Sequence, residues 1–223
     1  MLNQVDLGTK QGGALEVFHT RYTRYFDRYP DGKFSRGNCI GYDRNDTYKA
    51  EVTRRGFQFV VLDLSTNAGL QALPQADYYT AFNFLEHLPS REWSSVVVKR
   101  ALDRAQKGCW FRLPSFEQEH GEAILKEHGL RFAWTNWKGH PSHYTLADLS
   151  LAVADWREAN PKCKATLDIS MLPDKVETTL DRRVVPIDAP IDTVKYHASL
   201  GPKVNVKLTP IPVEFECIVR LTK

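Results

Sequence analysis

VDLGTKQGG, residues 5–13, joins a short apolar run to a stretch with helical spacing. Alone it is a turn with three glycines. Its meaning depends on the downstream residues and their distances from it. Leu2–Leu7 reads as a strand, and residues 14–26 as a helix, because Leu15, Phe18, Tyr22, Tyr25 and Phe26 recur with helical period. Residues 29–38 (YPDGKFSRGN) read as loop from their turn residues. Residues 39–43, 57–63, 78–84 and 109–113 read as further strands. Helices are expected at 46–55, closed by Gly56, and at 92–106.

This alternation predicts βαβ units and an α/β, doubly wound, mostly parallel sheet, whose ligand sits outside the carboxyl ends of the strands. VDLGTKQGG then occupies the first strand-to-helix turn. Gly8 permits a sharp turn, Gly12 and Gly13 keep side chains out of a ligand's space, and the amides opening the next helix suit an anionic group. Successive strands end in Asp43, Asp63 and Asn83. A dinucleotide fingerprint does not fit well: GxGxxG needs glycine where Lys10 stands, and Asp43 follows Gly13 by about 30 residues rather than about 20.

Past residue 117 the pattern loosens. Residues 118–128 look helical, and 130–144 (LRFAWTNWKGHPSHY) look like a strand followed by a long loop. Thr145 with Asp148 forms the signature of a capping box opening another helix. Residues 165–171 and 213–221 alternate as strands and are expected to complete a sheet of about seven strands. Between them, residues 172–212 carry Pro173, Pro186, Pro190, Pro202, Pro210 and Pro212, the composition of an extended insertion with room for one hairpin.

Several classes are set aside by composition. The 223 residues suit one domain, with a cofactor half at 1–117 and a substrate half at 118–223. The net charge is +3 and the basic residues are scattered, so nucleic acid is not indicated. No run approaches ~18 apolar residues and the first residues lack an apolar leader, so neither a membrane span nor a signal peptide is expected, and the cytoplasm is the expected compartment. Cys39, Cys109, Cys163 and Cys217 are far apart with no zinc spacing, and are expected to be reduced. His140 and His143 have a spacing that suits a metal pair on a helix, but Pro141 argues against a helix there and no third ligand is evident; no metal is expected.

The chain resembles the class I S-adenosylmethionine-dependent methyltransferases. Their first motif, apolar-Asp-apolar-Gly-x-Gly-x-Gly, appears here as Val5-Asp6-Leu7-Gly8-Thr9-Lys10-Gln11-Gly12; GYD ends in Asp43, VVLDLS contains Asp63 and Leu64, and AFNFLEHLP is similar to the phrase ending the family's fourth strand. The resemblance covers residues 2–117 well, extends more loosely over residues 131–145 (RFAWTNWKGHPSHYT), departs at Lys10, and does not reach 172–212. It implies a Rossmann-like fold and S-adenosyl-L-methionine as cofactor. The implied cofactor-binding residues are Asp6, Gly8, Thr9, Gly12, Asp43 (ribose hydroxyls), Asp63 and Leu64 (adenine), and Asn83 (beside the methionine part). A hydroxyl acceptor needs a general base, for which His140, His143 and His87 are the candidates. Trp134, Trp137 and Tyr144 are expected to wall a substrate pocket. The implied activity is methyl transfer to oxygen or nitrogen of a small-molecule or sugar-like acceptor. The rival readings are a non-catalytic binding module of the same fold and a nicotinamide-dependent oxidoreductase.

Overall fold

The computed structural model describes residues 2–25, 34–117, 119–135, 140–189 and 204–222. Its centre is a seven-stranded sheet. In chain order the strands are β1 (Leu2–Leu7), β2 (Phe34–Asp43), β3 (Gln58–Val61), β4 (Ala76–Phe82), β5 (Ala105–Pro114), β7 (Lys164–Met171) and β11 (Glu214–Thr222). In space they run β3-β2-β1-β4-β5-β11-β7. The first five are parallel, and β11 enters antiparallel between β5 and β7. The order reverses at β1, where β2 lies on one side and β4 on the other, so a crevice opens at the carboxyl end of β1.

Two apolar layers clamp the sheet. On one face α1 (Gly13–Tyr25) buries Leu15 and Phe18 against Phe57, Tyr78 and Trp110. On the other, α4 (Arg91–Arg104) and α6 (Leu146–Ala159) pack with Val5, Leu7, Tyr79 and Phe111. Tyr78 and Tyr79 therefore serve opposite layers, as the strand period requires. The short α2 (Lys49–Arg54) and α3 (Asn67–Gln71) complete the early crossovers.

The capping box read from sequence is present: the Thr145 side chain accepts from Asp148 N at 3.1 Å, and the Asp148 carboxylate accepts from Thr145 N at 2.9 Å. Thr145→Ala should cost about 1 kcal/mol in urea unfolding with the slope unchanged. A change below a few tenths would mean that water replaces the cap.

Two expectations are corrected. Residues 34–38 are strand, not loop: they form the first half of β2. Phe34 and Cys39 both pair with β1, residues 35–38 form an irregular stretch of the strand between them, and Arg36 finds partners in Glu16 at 2.7 Å and over the Phe57 ring. The insertion is more structured than one hairpin. Its β8 (Lys175–Thr178) pairs with β10 (Lys207–Pro212), while β9 (Val184–Pro186) pairs with β6 (Leu130–Phe132). With α5 (Glu119–Glu127) they enclose a separate cluster of Leu125, Phe132, Trp134, Val176, Val184 and Ile211. No described helix is long and apolar enough to cross a membrane.

Candidate active site

The glycine segment, residues 5–13, wraps over the end of β2. Gly8 N and Thr9 N both donate to the Tyr42 carbonyl, at 2.8 and 3.0 Å, and Lys10 N donates to Asp43 Oδ2 at 3.2 Å. Gly8 and Gly12 sit at φ +67° and +81°, where glycine carries no Cβ penalty. Lys10 sits at φ +44°, so the loop keeps a left-handed conformation at this position without a glycine. A Cβ on Gly8 would lie 2.1 Å from Phe84 Cδ2. Gly13 has no such role: a Cβ there meets nothing within 4 Å, and the residue simply starts α1.

Beside this loop lies a cleft of about 450 Å³. Five of the residues expected at a site line it: Gly8, Asp43, Asp63, Leu64 and His87. Lys10, Arg44, Asn45, Tyr48 and Phe84 line it too, and the sequence reading did not single out Arg44, Asn45 or Tyr48. Asp63 Oδ1 accepts from Ser65 N at 2.9 Å and Ser65 Oγ at 2.7 Å, and these bonds hold its carboxyl below the usual range.

Other expected residues stand behind the cleft. Asp6 is 1 % exposed; its Oδ1 accepts from Thr80 Oγ1 at 2.6 Å while its Oδ2 has no hydrogen-bond partner. Burial pushes its carboxyl up to about 7. Thr9 is buried against Gly41. Asn83, at φ +48°, donates through Nδ2 to Glu214 Oε1 at 2.6 Å.

The histidines pair differently from their sequence spacing. His143 is buried, stacked on Phe116 with ring centres 4.5 Å apart, and pushed down to about 4 mainly by burial. His140 instead meets His87, with ring centres 4.8 Å apart and planes at 64°. His140 Nδ1 contacts the Trp134 carbonyl. That partner is an acceptor only, so it selects the tautomer with hydrogen on Nδ1 and a lone pair on Nε2. Burial also lowers the His140 pKa, which favours the neutral ring.

Glu86, next to His87, is the residue that sequence reasoning undervalued. It is 1 % exposed, and burial pushes its carboxyl up to about 8. A charged residue type is read as surface unless a fold shows otherwise. The aromatic wall is also revised. Trp134 donates to the Ser115 carbonyl at 2.7 Å and stacks on Phe132, and Tyr144 is fully buried beside Ser95, so both pack the interior; Trp137 lies outside the described residues.

In sequence, no family model and no curated protein matches the chain. Solved structures do match in shape. An S-adenosylmethionine-dependent methyltransferase from Archaeoglobus fulgidus superposes with TM-score 0.55 at 14% identity, covering 98% of this chain and 86% of its own. One from Mesorhizobium loti gives 0.53 at 14% identity, over 98% and 90%. The magnesium protoporphyrin IX methyltransferase from Synechocystis, solved with bound S-adenosylhomocysteine, gives 0.51 at 12% identity, over 98% and 74%. The chain has the class I methyltransferase fold. In that fold's terms, the loop at Gly8, the acid at Asp43 and the turn at Asp63-Leu64 stand at the ends of β1, β2 and β3 beside one cleft.

Proposed function

We propose that the chain is an S-adenosyl-L-methionine-dependent methyltransferase acting on oxygen or nitrogen of a small-molecule or sugar-like acceptor. The observation that carries this is Asp43, placed by β2 at the cleft with the glycine loop closed onto it through Lys10 N. A carboxylate offers about four acceptor positions. One takes the Lys10 amide, and the rest suit a pair of adjacent hydroxyls. The missing Cβ at Gly8 keeps Phe84 and the loop backbone close beneath a ligand. The cleft volume falls within the range of small-ligand sites.

The cofactor supplies an activated methyl group on a sulfonium with a good leaving group. The protein's contribution is alignment and removal of water. Asp43 orients the ribose end, and Leu64 with the Asp63 turn supports the base. His87 stands at the cleft and is the histidine placed to take a proton from an acceptor hydroxyl. His140 and His143 do not line the cleft, so neither stands as close to an acceptor as His87 does. Cys39, Cys109 and Cys217 are buried and Cys163 is half-buried, and four cysteines kept as thiols suit a reducing compartment such as the cytoplasm.

Calorimetric titration with S-adenosylhomocysteine tests the reading. Micromolar binding is expected, weakened tenfold or more (~1.4 kcal/mol) by Asp43→Ala, with no heat from NADH. No heat at millimolar ligand would overturn it. A binding module is the second reading, favoured by Lys10, whose Nζ lies 3.5 Å from His87 Nε2 beside the cleft. It predicts homologue binding that survives with no methyl transfer to any acceptor.

A further inference from the structure

Glu86, His87 and His140 converge at one edge of the cleft. One donor atom from each lies within 4.8 Å of the others, and Glu86 Oε1 stands 3.9 Å from His87 Nε2. We propose that these three side chains bind a divalent metal ion of the borderline transition class, zinc foremost.

Three observations point to a cation there. Glu86 is 1 % exposed and its Oε2 has no hydrogen-bond partner. A buried carboxyl group with an unsatisfied oxygen is costly, and a cation held beside Oε1 would offset the charge of its ionised form. His140 has Nδ1 on the Trp134 carbonyl, the outer contact that orients ligating histidines, and this leaves Nε2 as a donor to metal. Finally, the Lys10 ammonium already lies 3.5 Å from His87 Nε2, so the cluster draws positive charge. That ammonium sits on a flexible, exposed stem and must swing away when a metal enters.

The donor set selects the ion. Two imidazoles and a carboxylate suit zinc, cobalt or iron(II), whereas magnesium and calcium ask for oxygen ligands throughout. Zinc–ligand bonds of ~2.0–2.2 Å place tetrahedral donors ~3.3–3.5 Å apart, so the trio must close by about an ångström. His87, with 36% of its side chain exposed, has room to make that move. Three protein ligands leave a fourth position for water or substrate, the pattern of catalytic rather than structural zinc. His87 and Pro141, next to His140, both line the cleft, so this position adjoins it.

The role of the ion rests on the methyltransferase reading: it would hold the acceptor hydroxyl and lower its pKa, and His87, then a ligand, would no longer serve as the base. The hydroxyl proton passes to solvent, the acceptor oxygen forms the bond to the methyl carbon, and the sulfonium sulfur departs with the electron pair of the broken C–S bond.

The test is metal binding itself. Protein stripped with chelator is titrated with Zn²⁺ by calorimetry and with Co²⁺ by visible absorption, with Mg²⁺ for comparison. One equivalent of Zn²⁺ should bind at micromolar Kd or tighter, and Co²⁺ should show a low-coordinate spectrum. Glu86→Gln and His140→Ala should each weaken binding at least 30-fold, while His128→Ala, at an exposed histidine outside the trio, should not. If a buried-site variant fails to fold, His87→Ala serves in its place. No saturable Zn²⁺ binding, or binding indifferent to these variants, overturns the site. S-adenosylhomocysteine titrated in parallel separates the two ideas. Homologue binding without zinc binding removes only the metal; zinc binding without homologue binding keeps the metal and removes the methyl-donor reading.

Discussion

Gly8→Ala is expected to lower stability by roughly 2–5 kcal/mol and to remove S-adenosylhomocysteine binding. Two costs add. A φ of +67° puts a Cβ in the left-handed region, at about 1–2 kcal/mol. That Cβ would also lie 2.1 Å from Phe84 Cδ2, and relieving such an overlap costs about 1–3 kcal/mol. Phe84 lines the cleft, so its displacement deforms the floor on which a ligand rests. The thermal midpoint should fall by on the order of 10 °C. An unchanged midpoint together with unchanged affinity would show that Gly8 is not pressed against Phe84.

Asp6→Asn is expected to act in opposite directions on stability and binding. Burial raises the Asp6 carboxyl from 3.8 to about 7, with Asp43 adding repulsion. The folded state therefore holds this proton more tightly than the unfolded chain, and stability falls as pH rises from about 4 to about 7. Above that window the penalty is on the order of 3–5 kcal/mol. Replacing the carboxyl with an amide should remove the Asp6 share of this slope and stabilise the protein at pH 8 by roughly 1–3 kcal/mol, since a buried amide still wants partners. The Glu86 carboxyl, pushed up from 4.5 to about 8, adds its own decline from about pH 4.5 to about 8, and the variant should retain that decline. We expect homologue affinity to fall about tenfold at the same time, or ~1.4 kcal/mol, because Asp6 lies directly before the loop that closes on Asp43. Urea midpoints from pH 4.5 to 9 decide the first part. A variant that keeps the wild-type slope between pH 4.5 and 7 would assign that slope to another group.

Sequence alone carried the centre of the fold. β4, β5 and β11 each carry a short run of consecutive apolar residues because both of their faces are covered, and α6 announces its start through Thr145 and Asp148. Where backbone pairing rather than side-chain burial decides, the signal fades. Ser35, Gly37 and Asn38 are turn residues, yet residues 35–38 continue β2 as an irregular stretch between the Phe34 and Cys39 pairings with β1. The five residues of α3 come after a turn built by Asp63, Ser65 and Thr66, and are too short to show a period. In the insertion, strands pair with segments far away in the chain, so spacing says nothing of register. The site divides the same way. Gly8, Asp43, Asp63 and Leu64 were readable because each ends, or directly succeeds, an early parallel strand, where open sheets gather ligands. The meeting of His140 with His87 was not readable, because it depends on how the loop before α6 returns across the sheet.

The position of β11 bears on how the molecule is made. This strand is the last in chain order, yet it lies between β5 and β7 and pairs with both. During synthesis from the N-terminal end, β5 and β7 wait with open edges until residues 214–222 leave the ribosome. Open edges of this kind invite pairing with other chains. Ribosome-bound nascent chains thus pass through an interval in which the first five strands are made and the sheet still lacks its keystone, and in that interval a chaperone has most to protect.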